Sequence, residues 1–289
     1  MKKLIAPLIT GLDKQELVLT ATLIFLMLHA SIYRYVQMPI TLLCMVALLF
    51  PLLRSSKWIW GAIIFVYILG CMPHYFELIN HKFLYLYWCV AVFASLFAAN
   101  FEQAICFNAR LLLVLVFAIA TLQKLFSADY MDGSFMLYIL AKDERIGGLL
   151  VMLGWLPKNM LQQNMAAVAH VMQYTPQPEQ VPLLYTQSVK LMARVLTWLT
   201  LFVEAVTAIL FALPATVRLA RYRDMLFLLF LFFTYLLAPV AGFGSILAIM
   251  GMAQADTRAK MLLYVLMFLL MQVYALQVHQ LAAFLSELF

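Results

Sequence analysis

The chain has 289 residues, 66% of them hydrophobic and 11% charged, with a formal net charge of +6. A soluble domain carries about 25% charged residues, so a mean hydropathy of +0.97 excludes an ordinary soluble domain and points to lipid as the solvent of a single helical bundle. The basic residues lie in short clusters between apolar runs, which argues against nucleic acid as a partner and for topology signals facing a membrane.

The opening segment, MKKLIAPLITGLDKQE, lacks the apolar length and the small-residue cleavage pattern of a secretory leader. A bilayer core of about 30 Å takes about 20 residues of helix, and backbone in lipid must satisfy its hydrogen bonds internally. On that basis, spans are predicted over 17–36, 39–53, 58–72, 83–100, 109–126, 191–213, 224–253 and 260–282. Pro39 is placed at a helix start, where its missing N–H is tolerated. The stretch 224–253 carries Pro239 and Gly242-Phe243-Gly244 at its middle, so it reads as one kinked span or two half-spans. The expected fold is all-α: a polytopic transmembrane bundle of eight or nine spans over residues 1–289, with one long loop at 127–190.

Charge sets the expected orientation. Lys2, Lys3, Lys14, Arg54, Lys57, Arg110, Arg218, Arg221 and Arg223 fall on one side of the alternation, and Arg34 and Lys82 on the other. The positive-inside rule then puts the N-terminus in the cytoplasm and the segments 73–82 and 127–190 outside. Within the long loop, 147–156 is an apolar run too short to span, expected as a helix lying at the interface. The four cysteines, Cys44, Cys71, Cys89 and Cys106, form no CxxC pair and read as packed thiols. No metal constellation is expected.

A few polar residues sit where lipid would penalise them. Lys124 lies fourteen residues past Arg110, about 21 Å along a helix. It reads either as a lysine snorkelling to the headgroups or as a cavity lysine with a pKa lowered by desolvation, fit to act as a base. Glu204 falls midway along its span, where a charge costs roughly 2.5–3.5 kcal/mol, so it should be paired or protonated inside the bundle. It reads as a structural clamp or as a site residue. Asn80 and His81 open the fourth span, Asn80 as a candidate cap. Alternation puts His81 and Lys124 on one side of the membrane at the ends of adjacent spans, so they could share one pocket. His29, four residues before Tyr33, reads as packing.

Two segments carry a resemblance. Asn80-His81-Lys82-Phe83-Leu84-Tyr85 resembles the Asn-His-x-Tyr-Leu-Tyr segment of the vitamin K-dependent γ-carboxylase family. Residues 123–136, from Gln123-Lys124-Leu125 through Asp129-Tyr130-Met131-Asp132-Gly133 to Met136, resemble its Lys-Lys-Leu-x-Ala-Asp-Trp-x-Glu-Gly-x-x-Met segment, in the same order. The wider group is the horizontally transferred transmembrane (HTTM) superfamily. Its Phe-rich late span looks like 230–253, and its acidic residue in the preceding span looks like Glu204. The resemblance implies that Lys124 deprotonates a prenylated quinol of the vitamin K or menaquinone type, which oxygen turns into a strong base. It implies that His81 assists as the oxyanion or orientation partner. Asp129, Tyr130 and Asp132-Gly133 would shape the turn beside them, with Glu204 ordering the bundle beneath. The chain departs from the family at Thr121, where glycine is common nearby, at Tyr130, where the family has Trp, and near Leu236, where a family histidine is replaced. The large extracytoplasmic domain of the carboxylases is also missing after the last span, which implies a short form of bacterial type, in the inner membrane.

The leading expectation is therefore quinol- and oxygen-dependent modification or maturation of a peptide at the outer face, with membrane lipid and a peptide substrate or small partner protein as partners. The alternatives are a non-catalytic scaffold or export helper, and a small-solute transporter built on the broken span.

Overall fold

The computed structural model describes residues 13–30, 33–76, 78, 80–174, 182–237 and 240–288. Among the described residues there is helix and no strand. The longer helices are α1 (Lys14–His29), α2 (Arg34–Leu49), α3 (Lys57–Cys71), α4 (Asn80–Ser95), α5 (Phe101–Leu125), α6 (Ser134–Lys142), α7 (Glu144–Met152), α8 (Lys158–Tyr174), α9 (Gln187–Ala212), α10 (Arg223–Leu237), α11 (Ala241–Gln254) and α12 (Arg258–Leu288). The all-α class is thus as expected. Among the described residues, two helices, α5 and α9, are long and apolar enough to cross a membrane. Their 25 and 26 residues amount to about 38 Å each.

The chain divides into two compact units. The first holds the described residues up to Val114 together with those from Phe211 onward. Its centre is α11, buried without interruption from Gly244 to Gln254. A helix apolar on every face belongs inside a bundle, and small residues let its neighbours approach. A Cβ on Gly251 would overlap the Tyr264 ring of α12, and one on Gly244 would lie 2.7 Å from Met271 Sδ. Trp60, Tyr67 and Trp88 are fully buried in the same unit. Trp88 Nε1 donates to Thr22 Oγ1 at 3.0 Å, so a buried indole has its partner.

Polar contacts fix the direction of each helix in this unit. Asp13 caps α1, accepting from Gln15 N at 3.2 Å. At that end Lys14 Nζ donates to the Ala255 carbonyl after α11 (3.0 Å) and Arg54 pairs with Glu16 (3.1 Å). Arg223, opening α10, lies 3.9 Å from Asp256. At the opposite end of α1, the His29 ring meets Gln272 of α12, and the His29 carbonyl accepts from Lys82 of α4. Gly242 of α11 packs there too, its absent Cβ leaving room for Tyr85 and His29. The start of α10 and the end of α11 therefore share one end. The stretch 224–253 is two helices folded back on each other rather than one continuous helix. Residues Pro239 and 238, at the bend, lie outside the described residues.

Several sequence boundaries need correction. The first predicted span, 17–36, stops at His29 and the chain restarts as α2 at Arg34. Pro39 is inside α2 rather than at its start, in the second turn, where it forfeits a single backbone hydrogen bond. The fifth span begins at Phe101, not Ala109, because Asn100 caps it through Gln103 N at 3.1 Å.

The larger correction concerns 127–190, which is not a loop. Within the second unit, Leu115–Leu210, this stretch folds as α6, α7 and α8 around a core of Leu140, Leu150, Leu156, Leu161, Val189 and Ala193. The predicted interfacial helix 147–156 is α7, and it ends at Met152. Gly154 takes φ +71 there, with Trp155 N donating to Leu150 O (2.9 Å) and Gly154 N to Val151 O (3.0 Å). That pair of bonds closes a Schellman cap, which needs a left-handed residue at this position. Gly147 of α7 packs against Leu161 of α8, so its apolar face is spent on the unit's own core. Asn164, 2% exposed, ties the unit together by donating to Ala141 O and Leu184 O and accepting from Leu184 N.

Candidate functional site

In the second unit, α5 and α9 bring two ionisable side chains together. Lys124 lies in the last turn of α5 and Glu204 in the second half of α9, and their side chains form an ion pair. Lys124 is 24% exposed and Glu204 12%, so the lysine is mostly covered and turned toward the carboxylate. A pair of this kind is neutral as a whole, the form in which charged groups survive in apolar surroundings. Glu204 Oε2 is buried and has no hydrogen-bond partner among the described residues. A second acceptor is thus left over inside the site, and such an atom calls for a donor.

Tyr130 closes one side. It sits in the short helix Ala128–Met131, capped by Ser127, whose Oγ accepts from Tyr130 N at 3.3 Å. The buried ring places its centroid 5.1 Å from Lys124 Nζ, within cation–π range, and its hydroxyl bonds to Thr200 Oγ1. Gly133 follows at φ +85, a left-handed conformation that favours glycine, and seats the turn against Arg194 and Thr197 of α9. Asp132 accepts from Ser134 N at 2.7 Å. Hydrogen bonds from Ser134 hold its carboxyl below the ordinary carboxylate value. Asp129 and Asp132 are both exposed, so they build the turn and leave the buried contacts to Tyr130 and Gly133.

Lys124, Glu204, Tyr130 and Gly133 are therefore assembled in one unit. The sequence reading missed Thr200 and Thr197. With Glu204 they stand at i−4 and i−7, a spacing that puts all three on one helix face, and that stripe was the available signal.

His81 belongs to the other unit. It sits in the first turn of α4, half-buried, with its ring centroid 5.6 Å from that of Tyr85 and 6.1 Å from that of Phe243. Lys82 beside it reaches back over the Tyr85 ring at 5.1 Å. The side chain of Asn80, the candidate cap, lies outside the described residues, as does that of Leu236. His29 is more than packing. Its Nε2 is 2.8 Å from Gln272 Oε1, and Gln272 Nε2 donates to Ser245 Oγ at 2.6 Å, a chain that crosses α1, α12 and α11 beside the Gly242 contact.

Among the described residues no cluster of three or more His, Cys, Asp or Glu side chains could hold a metal. Cys44, Cys71 and Cys89 are buried thiols. No family model, curated protein or solved structure matches this chain.

Proposed function

We propose that this chain is an integral membrane protein of eight or nine spans, related to the HTTM and γ-carboxylase group, that uses Lys124 as a general base in quinol- and oxygen-dependent modification of a peptide at the extracytoplasmic face. The observation that carries the reading is the Lys124–Glu204 pair. It lies on the two helices long enough to cross a bilayer, beneath a turn that resembles the family's lysine motif. The membrane assignment is supported by exposed apolar side chains along those helices, such as Leu111, Leu115, Ile119, Leu199 and Phe202. Only 22% of the apolar window of α5 and 28% of that of α9 is buried, whereas the core helix of a soluble protein would be mostly covered. Orientation is supported by the first unit, where Lys14, Arg54 and Arg223 gather at one end and His29 and Lys82 at the other. That matches a cytoplasmic N-terminus in a bacterial inner membrane.

A prenylated quinol fits the residues present. The spare Glu204 oxygen is a buried acceptor suited to a hydroxyl, and Tyr130 offers an aromatic wall. When bound, the quinol would supply with oxygen the basic and oxidising equivalents for the modification. The protein's part is to take a proton. Lys124 would accept the proton of the quinol hydroxyl at Nζ, with Glu204 beside it as the partner of the ammonium that results. Tyr130, fixed by Thr200, keeps water from the amine.

The test is oxygen consumption by the purified protein in lipid nanodiscs supplied with menaquinol. Wild type should consume oxygen, while Lys124→Ala and Lys124→Arg should both lose the activity, since a guanidinium keeps the charge but is a poor base. Equal rates in wild type and Lys124→Arg would sink the base role and favour a scaffold that binds a peptide or partner subunit. A transporter is favoured by one observation, the folded-back pair α10–α11 with glycines at its bend, since discontinuous helices line solute sites. It requires uptake that depends on Gly242 and Glu204 and is indifferent to Lys124→Arg.

A further inference from the structure

The end of the first unit that carries Lys14 contains a cavity of about 470 Å³, far from His81 along α1 and α4 and with no part in the proposed chemistry. Its walls come from α1, the start of α5 and the end of α11. Two of its polar atoms are buried without a partner among the described residues: Arg110 Nε, a donor, and Gln254 Oε1, an acceptor. Gln254 is fully buried, and its amide nitrogen is already committed to Asp224 and the Gly251 carbonyl, so its oxygen is held in place. Native proteins rarely leave a fixed donor and a fixed acceptor unpaired around one cavity, and a guest that satisfies both is the simplest resolution.

The charges say what kind of guest. Lys14 uses one of its three donors on Ala255 O, and with Arg110 it gives the cavity two cations. Of the two carboxylates on the wall, Asp256 is neutralised by Lys260 (2.8 Å) and Arg223 (3.9 Å). Glu102 is exposed in the first turn of α5. One positive charge is left over, so a single negative charge is matched. The acceptor at Gln254 asks for a hydroxyl or amine donor on the same guest, and the exposed ring of Phe107 offers an apolar lip.

We propose that this cavity binds a singly charged phosphodiester that carries a free hydroxyl, the phosphate held by Arg110 and Lys14 and the hydroxyl donated to Gln254. This chemistry has two sources, the headgroup of an anionic phospholipid such as phosphatidylglycerol and its soluble form, glycerophosphoglycerol. The lipid source rests on the membrane reading above, which alkaline carbonate extraction of the protein tests separately.

The experiment measures thermal unfolding and bound-lipid content of the whole protein in two arms. One compares phosphatidylcholine nanodiscs with and without phosphatidylglycerol. The other adds glycerophosphoglycerol to the detergent-purified protein. Stabilisation in either arm, with selective retention of that ligand, supports the site and assigns its source. Arg110→Gln should weaken apparent affinity about tenfold, the loss of one charge-assisted contact. It should leave the melting temperature in phosphatidylcholine alone unchanged. Lys14→Gln serves if Arg110→Gln does not fold. No stabilisation in either arm, meaning that water alone fills the cavity, overturns the proposal. So does stabilisation that is undiminished in the variants.

Discussion

Replacing Glu204 by leucine would leave the Lys124 ammonium without its counter-charge in an apolar setting. Both side chains are less than a quarter exposed, at 24% and 12%, so solvent screens the loss only in part. Removing one partner of a buried pair costs about 3–5 kcal/mol, which partial exposure here reduces to roughly 2.5–3.5 kcal/mol. Lys124→Met should cost a similar amount, since it strands the carboxylate and the already unpartnered Oε2 with it. The double variant Lys124→Met/Glu204→Leu removes both charges and keeps side-chain volume, so it should lose about 1 kcal/mol or less. A double-mutant cycle read by reversible unfolding in mixed micelles would then give a coupling of at least about 4 kcal/mol. Singles that sum to the double within about 0.5 kcal/mol would refute the reasoning, because the two groups would then not share an environment.

Three other outcomes follow from the packing. Gly133→Ala should destabilise the protein by about 1–2 kcal/mol, because alanine resists φ +85 while its Cβ would meet Arg194 only at an ordinary 3.5 Å; Gly133→Asn should recover part of that loss in the same melting assay. Gly251→Ala forces a methyl into the Tyr264 ring and should cost about 1–3 kcal/mol, visible as a lower melting temperature with helix content kept. Asp256, between α11 and α12, would be raised by its partial burial, but hydrogen bonding and charge from Lys260, with Arg223, hold its carboxyl below the ordinary 3.8. A depressed acid contributes stability above that value and loses it as pH falls through its folded pKa. The protein should therefore weaken on acidification below about pH 3.8, and Asp256→Asn should flatten that part of the stability profile.

Much of the helical frame was legible because long apolar runs stand out in hydropathy against a helix length of about 20 residues. That pattern found α3 to within one residue, while α9 began four residues earlier and α12 ended six residues later than predicted. It failed at 127–190 for the same reason. Helix α6 has nine residues, so a filter tuned to membrane thickness passed over it, although its apolar residues recur at helical spacing; α7, equally short, was found only as the apolar run 147–156. The ends of α1 and α5 were misplaced because capping by Asn100 and the stop at His29 are local hydrogen-bond events that hydropathy does not register. At the site, Lys124 and Glu204 stood out singly as charges in apolar runs. Their pairing depends on how α5 and α9 pack across 80 residues of chain, which periodicity does not encode. The fold-back of α10 on α11 was open in the sequence and is decided by Asp224. Fully buried, it bonds to Gln254, Tyr264 and Lys260, and so draws the start of α10, the end of α11 and the start of α12 together.

The central claim is that Lys124 and Glu204 form the floor of a quinol site in a membrane. Mass spectrometry of lipids that co-purify with the protein from bacterial membranes, run beside Lys124→Ala and Glu204→Leu, tests it most directly. The account predicts menaquinone bound to wild type and depleted in both variants at equal protein recovery. Menaquinone absent from wild type, or retained equally by all three proteins, would contradict it.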